Sequence, residues 1–468
     1  MRHLVLGLVM AFLLVSNQAA ASGTAPVAYL SNDASPNVLA VDTSSSTLQP
    51  TSIPVGSLGT TTYGVAVGPK GAKVYVTGGQ SPGKLYVIDT ATRAVTPVTV
   101  GMYPRGVAVS RDGSRVYVAN ALSQNVSVID GATNTQVATV TGFRGFPWGV
   151  TVSPVSNRLY VTNVYGSYAG DDDVKVIDTS TNQVVAGAGV SGLGGLPMGI
   201  AVSPDGTRLY AADYGSGPSG RVWVIDTALI GGTSPVVATV TVGPNPFGIA
   251  VTPDSKHVYV SNSGGNTVSV IDAATVSSGA SSPMITVGNS PRGVSVSSDG
   301  STVFVVNWFS GNLTAISVAT NTTRSIAPQG ILFPVAFGNF VTPITFITVN
   351  FDVVPKAINP KAQGTIPVMI YGSKSFDVHT LDLSSLRLNG MAAKMKPNGE
   401  LMANYGDFAG SGYDDVMVHF STDGVQATSG VQATSGDATV TLTGQIMCSP
   451  LPCNGTPIQG TATVTFLH

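Results

Sequence analysis

A strand-like core of the form Val-Tyr-Val-x-Asn recurs seven times along this chain, and no other feature of the sequence restricts the fold so tightly. It reads VAYLSND at 27–33, VYVTGG at 74–79, VYVAN at 116–120, LYVTN at 159–163, LYAAD at 209–213, VYVSN at 258–262 and VFVVN at 303–307. A polar loop and a second strand follow each copy, ending at Asp42, Asp89, Asp130, Asp178, Asp226, Asp272 and Ser317. Six copies are preceded by a third strand that opens on glycine: Gly64, Gly106, Gly149, Gly199, Gly248 and Gly293. The unit returns every 42–50 residues, room for four short strands. Such a unit cannot bury its apolar faces alone, so the copies must stack against one another.

The seventh copy is divided between the two ends of the array. VAYLSND has no glycine-led strand before it, and PVAFGNFV at 334–341 supplies one after the last complete unit, with Phe333 in the place just ahead of it. Complementary ends predict a ring closed by a shared blade, which removes the open sheet edges of an unclosed array. The expected fold is therefore all-β, a seven-bladed β-propeller followed by a small β-sandwich domain.

The strings YVTN and YVAN, with VSVID and SPDG around them, resemble the YVTN-type propeller repeats of bacterial exported and archaeal surface-layer proteins over about residues 27–341. The resemblance implies a propeller and an extracellular habit, but no particular reaction, because propellers host many functions.

Within GVAVSRDGSRVYVAN, the alternating Val107, Val109, Val116 and Val118 are expected between neighbouring blades. Each opening glycine lets the innermost strands crowd the axis without a side-chain clash. The Asp that ends each VID precedes small residues and often Thr, so its carboxylate can accept hydrogen bonds from its own turn. Asp89, Asp130, Asp178, Asp226 and Asp272 occupy that same place in successive blades, so they read as turn residues and not as a catalytic ring. Asn120, Asn163, Asn262 and Asn307 read as structural for the same reason.

What varies between blades is the better guide to function. The residue just before each innermost glycine should ring one mouth of the central channel: Tyr63, Arg105, Trp148, Met198, Phe247 and Arg292, with Tyr103, Phe146 and Leu196 thickening the rim. Aromatic and arginine side chains anchor binding sites. Two readings stand at this stage, a ligand or partner site and a plug that fills the channel. Asp171, Asp172 and Asp173, beside Tyr165 and Tyr168, form an oxygen-rich loop of the kind that suits Ca²⁺, although consecutive aspartates in a loop are ordinarily solvated. DYGSGPSGR at 213–221 is glycine-rich but leads into no helix, which excludes a phosphate cradle.

The inventory of catalytic side chains is thin. His257 is the one histidine inside the repeats, with His379, His419 and His468 beyond them, and Glu400 is the sole glutamate of the chain. No CxxCH motif is present, and no GxSxG elbow: the string GQSPG at 79–83 leads into another strand-like run, LYVID, and not into the helix that a nucleophile elbow requires. The enzymatic alternative that survives is a metal-dependent, lactonase-like hydrolase with Asp and Asn ligands at the channel mouth.

Arg2 and His3, an apolar run from Leu4 to Val15, and Ala19-Ala20-Ala21 read as a secretory signal peptide, residues 1–21. The run is too short to span a bilayer, and no later stretch is long enough. The expectation is a secreted, periplasmic or cell-surface protein with no membrane span. A net charge of −2 gives no general attraction for nucleic acid. The propeller is expected at 22–341 and the second domain at 342–468, after Thr342-Pro343. FDVVPKAINPKAQGTIPV and DFAGSGYDDVMVHF in that second domain resemble a C-terminal β-sandwich module of secreted bacterial proteins. The module's acidic loop has the pattern DxNxDGxxD; Asp407 and Asp415 match its outer positions, while Ala409 and Ser411 replace the inner ligands, which weakens a hard-cation site. Ca²⁺ at Asp407 and Asp415 is the one cofactor the sequence suggests. GVQATS occurs twice in succession from Gly424, a polar duplication that reads as a loop. Cys448 and Cys453, close together in CSPLPC, are expected to form a local disulfide in an oxidising compartment. Taken together, these features predict a monomeric, exported binding or interaction protein with a protein, glycan or small-molecule ligand.

Overall fold

The computed structural model describes residues 27–342 apart from 33–34, 44–49, 58–60, 80, 165–172, 194, 216, 233, 277–281, 327–333 and 337, together with the strands of a second unit between 347 and 466. Residues 1–21, Asp407, Cys448 and Cys453 fall outside the described residues, and so do the expectations of a signal peptide, a calcium loop and a disulfide. No helix occurs among the described residues, and none there is long and apolar enough to cross a membrane.

The chain divides into two compact units, Ala25–Ile344 and one that contains Thr345–His468. The first is a seven-bladed propeller. Six blades are continuous four-stranded antiparallel meanders, at residues 62–100, 104–140, 146–184, 197–242, 246–286 and 291–326. The seventh joins Pro334–Val335 to Val27–Asn32, Asn37–Asp42 and Thr51–Pro54. Ser31 pairs with Val335 and Asn32 with Pro334, and Tyr29 donates its amide hydrogen to the Phe340 carbonyl at 2.8 Å.

Period-two alternation feeds both seams of every blade. Val116 and Val118 enter a buried cluster with Tyr75, Leu85, Val98 and Val107 of the first blade and the start of the second. Tyr117, between them, points the other way and joins Val128, Phe143, Leu159 and Val161 in the next seam. Valine and tyrosine on opposite faces of one strand are what a doubly buried sheet demands. The repeated tyrosines Tyr117, Tyr160, Tyr210 and Tyr259 are accordingly among the largest fully buried side chains.

The glycines that open the innermost strands are required by close approach. A Cβ on Gly64 would lie 2.2 Å from the Arg105 carbonyl oxygen, and one on Gly248 would lie 2.1 Å from that of Arg292. Backbone cannot yield as a side chain can, so each blade seats its successor's inner strand against a bare Cα.

The repeated aspartates hold turns. Asp89 accepts hydrogen bonds from the amides of Ala91 and Thr92, Asp130 from those of Ala132 and Thr133, and Asp178 from that of Ser180. Backbone amides and hydroxyls favour the charged form. The Thr92 amide holds the Asp89 carboxyl below its ordinary range, the Thr133 amide does so for Asp130 and the Ser180 hydroxyl for Asp178. The Ser110 hydroxyl and the Ser114 amide take Asp112 down to about 2. A carboxyl depressed in the folded state contributes stability above its unfolded value, and that stability is lost as pH falls through the folded value. Unfolding midpoints in urea are therefore expected to stay level from pH 7 to about 5 and to fall between about 4 and 2. A midpoint still level at about pH 2.5 would show that these turn carboxylates contribute nothing.

In the second unit two sheets are described. One runs Ile347–Thr348, Pro457–Phe466, Gly436–Ile446, Leu381–Leu388 and Met391–Ala392, with Ala357–Ile358 also on Pro457–Phe466. The other runs Phe351–Val353, Thr365–Ile370, Asp415–Ser421 and Ala403–Gly406. Val368, Ile370, Val416 and Val418 are buried on the second sheet. Gly406 pairs with Asp415 across its last hairpin.

Candidate functional site

Every complete blade has the same irregularity in its innermost strand. Pro104 pairs with Asn120 and Val107 with Val118, so Arg105 and Gly106 together face the single residue Ala119. The same two-against-one step occurs at Tyr63-Gly64, Trp148-Gly149, Met198-Gly199, Phe247-Gly248 and Arg292-Gly293. A β-bulge kinks its strand and re-aims a side chain. Here it takes one residue per blade out of the seam and turns it toward the channel mouth.

The bulge also frees a backbone amide, which must find an acceptor. In the first blade Gly64 donates to Thr77 Oγ1 at 2.8 Å, and that hydroxyl donates in turn to the Arg105 carbonyl at 2.7 Å. Thr162 links Gly149 to Met198, and Ser261 links Gly248 to Arg292, in the same way. Ser31 Oγ donates to the Tyr63 carbonyl at 2.8 Å. Hydroxyls at this strand position therefore pin the main chain at Tyr63, Arg105, Met198 and Arg292, which is how a rigid scaffold presents a site.

Tyr63, Arg105, Trp148, Met198, Phe247 and Arg292 all line one cavity of about 220 Å³, together with Tyr214. All seven are half-buried. The Arg105 guanidinium lies 4.0 Å from the centre of the Tyr63 ring and 4.5 Å from that of Trp148, with Tyr103 at 5.7 Å. Arg292 lies 3.8 Å from the Trp308 ring and 5.6 Å from Phe247, and Tyr214 meets Phe247 edge-on at 5.8 Å. A guanidinium packed against aromatic rings keeps N–H donors for a partner. Tyr103 has a φ of 52°, uncommon for a bulky residue, which marks the rim as locally strained.

Below this cup the channel narrows to a waist lined by Val107, Val150, Ile200, Ile249 and Val294. A wider cup of about 520 Å³ opens beyond the waist, lined by small apolar and hydroxyl residues such as Ala66, Ala108, Ala201, Ser295 and Ser297. Arg111 and Asn339 also line that larger space, but no aromatic ring does.

Two mouth residues escape a reading based on the position before glycine. Tyr214 and Trp308 each follow the residue that ends the repeated core strand, Asp213 and Asn307, and the aromatic character of that position was the available signal. Phe333, expected just ahead of the closing strand, lies outside the described residues; in the closing segment Pro334 pairs with Asn32 as Pro104 does with Asn120, and the Ala336 carbonyl meets Gly293 as the Arg105 carbonyl meets Gly64.

The strand-ending asparagines are structural. Asn120 Nδ2 donates to Asn125 Oδ1 and Ser127 Oγ, and its amide packs where a Cβ on Gly101 would fall. One blade replaces that amide with charge: Asp213, fully buried, pairs with Arg221 Nε at 2.7 Å and accepts from the amides of Leu196 and Gly215. That ion pair fixes the turn which carries Tyr214. Asp173 is also buried and accepts from the Leu193 amide, so it is neither a solvated loop residue nor a free metal ligand, while Asp171 and Asp172 lie outside the described residues.

The family model "Lactonase, 7-bladed beta-propeller" matches residues 245–327, the fifth and sixth blades, which contain Phe247 and Arg292 of the cavity. Among solved structures, hydrazine synthase of Kuenenia stuttgartiensis is similar at 23% identity and a TM-score of 0.48, over 55% of this chain and 76% of that one. A functionally unknown protein from Desulfotomaculum acetoxidans is similar at 16% identity and a TM-score of 0.51, over 67% of this chain and 98% of that one. The second likeness extends to the fold alone. No curated protein matches the chain.

Proposed function

We propose that this chain is an exported β-propeller binding protein without catalytic activity, whose ligand seats in the cavity at the bulged mouth. The observation that carries this reading is the chemistry of the lining. Tyr63, Arg105, Trp148, Met198, Tyr214, Phe247 and Arg292 offer aromatic surface and two cations, but no carboxylate, imidazole, thiol or hydroxymethyl group. Large rigid rings and planar donors are the anchors of recognition. Export is supported by the signal-like residues 1–21.

A lactonase-like hydrolase is the second reading, favoured by the family match over residues 245–327. A metal that activates water needs oxygen or nitrogen ligands. The lining does not fit one, and among the described residues no three His, Cys, Asp or Glu side chains come together in a metal-binding group.

The two readings separate on the chain lacking residues 1–21. Incubation with γ- and δ-lactones and aryl esters is expected to give no hydrolysis above buffer, with or without chelator. A thermal-shift screen against small molecules, oligosaccharides and cell-wall fragments is expected to find ligands that raise Tm, since binding to the native state alone is stabilising. Lactone turnover abolished by chelation would overturn the binding reading.

A further inference from the structure

Three other half-buried arginines of this propeller have acidic partners, and a fourth, Arg158, donates to the Thr227 carbonyl. Arg115 pairs with Asp130, Arg208 with Asp226 and Arg221 with Asp213, each at 2.7 Å. Arg105 departs from this pattern. Its guanidinium makes no hydrogen bond or ion pair among the described residues, and its Nε is buried without an acceptor. Burying a donor of a charged group unmatched is unfavourable, and such groups in native structures call for an explanation. The guanidinium carbon lies 4.0 Å from the Tyr63 ring centre and 4.5 Å from that of Trp148, Nε is sealed, and the two terminal amino groups are the donors left for a partner in the cavity.

The surroundings sharpen the chemistry of the missing partner. Arg292 adds a second positive charge to the cavity, and no lining residue carries a negative one. A cup walled by rings and holding two cations focuses a field that favours anions. A planar carboxylate meets the guanidinium edge with two parallel hydrogen bonds. At about 220 Å³ the cavity is below the range usual for drug-sized ligands, and its walls are aromatic. We infer that the mouth cavity binds a small organic carboxylate with a flat apolar body, the carboxylate on the edge of Arg105 and the body against the aromatic wall. This assignment rests on the binding reading above and adds to it the charge and shape of the ligand.

Benzoate and its neutral isostere benzamide are the probes, titrated at fixed ionic strength by calorimetry against the chain lacking residues 1–21. Benzoate is expected to bind at least about tenfold tighter than benzamide. Arg105→Gln is expected to remove that preference and leave benzamide unchanged, whereas Arg111→Gln, an exposed arginine at the other end of the channel, leaves the preference intact. Should Arg105→Gln fail to fold, Arg105→Lys keeps the charge and the stem but lacks the in-plane fork, and most of the preference should again go. Equal affinity for the two probes would overturn the carboxylate assignment while the binding reading stands. No binding of either probe would also overturn it, and the binding reading would then depend on the thermal-shift screen alone. A preference that survives both Arg105 variants would move the anion elsewhere and defeat the assignment.

Discussion

Replacing Phe340 with alanine is expected to destabilise the propeller by about 3–5 kcal/mol, the range for emptying a fully buried aromatic site. The ring closes through a short segment. Its strand contributes two ladder pairs, Ser31 with Val335 and Asn32 with Pro334, where Val27–Asn32 pairs with Asn37–Asp42 over four. The remainder of the closing segment is tied by separate hydrogen bonds, the Tyr29 amide to the Phe340 carbonyl, the Val67 amide to the Asn339 carbonyl, the Thr342 amide to the Val27 carbonyl and the Val27 amide to Thr342 Oγ1, with one isolated bridge between Ala28 and Val341. Phe340 supplies the packing that this sparse ladder lacks. It is fully buried in one cluster with Phe304, Val306 and Leu313 of the sixth blade, Tyr29 and Val38 of the seventh, and Val65 and Tyr86 of the first. The cluster that Phe340 completes thus joins three blades at the place where the two ends of the array meet. The measurement is equilibrium denaturation of the full chain, with Phe309→Ala as a comparison. Phe309 is 63% exposed, so its truncation should change stability by no more than about 0.5 kcal/mol. A loss below about 1 kcal/mol for Phe340→Ala would mean that the ring is held shut by something other than this seam.

The propeller was legible in the sequence because a blade is a local unit written seven times, and repetition separates signal from accident. Val116, Tyr117 and Val118 could be placed on opposite faces from period two alone, and Gly64 or Gly248 could be read as points of close approach from their recurrence. The mouth was legible by subtraction: once the repeated residues are set aside, Tyr63, Arg105, Trp148, Met198, Phe247 and Arg292 remain, and they line one cavity. Three features were not read, each for a physical reason. The bulge that turns these residues out of the seam is a matter of register, which spacing within one strand does not disclose. Tyr214 and Trp308 reach the mouth from the next turn of the same blade, a neighbour in space but not in the repeat position examined. The closing strand was aligned on PVAF as though it began like GVAV, while the pairing of Pro334 with Asn32 sets it by its proline. The Asp213–Arg221 pair comes from the structure: Asp for Asn is a single departure from the repeat, and the buried charge it brings finds its partner on the facing strand.

Trp148→Ala should weaken benzoate binding by about 2 kcal/mol or more, close to thirtyfold, while leaving the fold largely intact. Trp148 belongs to none of the buried seam clusters that hold the blades together, because the bulge at Trp148-Gly149 removes it from the seam. Its ring centre lies 4.5 Å from the Arg105 guanidinium carbon. Without it the guanidinium loses one of the aromatic rings packed against it and gains freedom, so its terminal donors are no longer presented to a carboxylate in one direction. A plug behaves differently. If the mouth residues served only to fill the channel, emptying the Trp148 site would cost about 3–5 kcal/mol of stability, with no ligand to lose. The two outcomes are read from one variant by denaturation and calorimetry. Half-burial of Trp148 limits the packing that truncation can remove, which is why a stability loss near 1 kcal/mol is the expected value. A loss of 3 kcal/mol or more with benzoate affinity unchanged would identify the ring as a plug and dismiss the site.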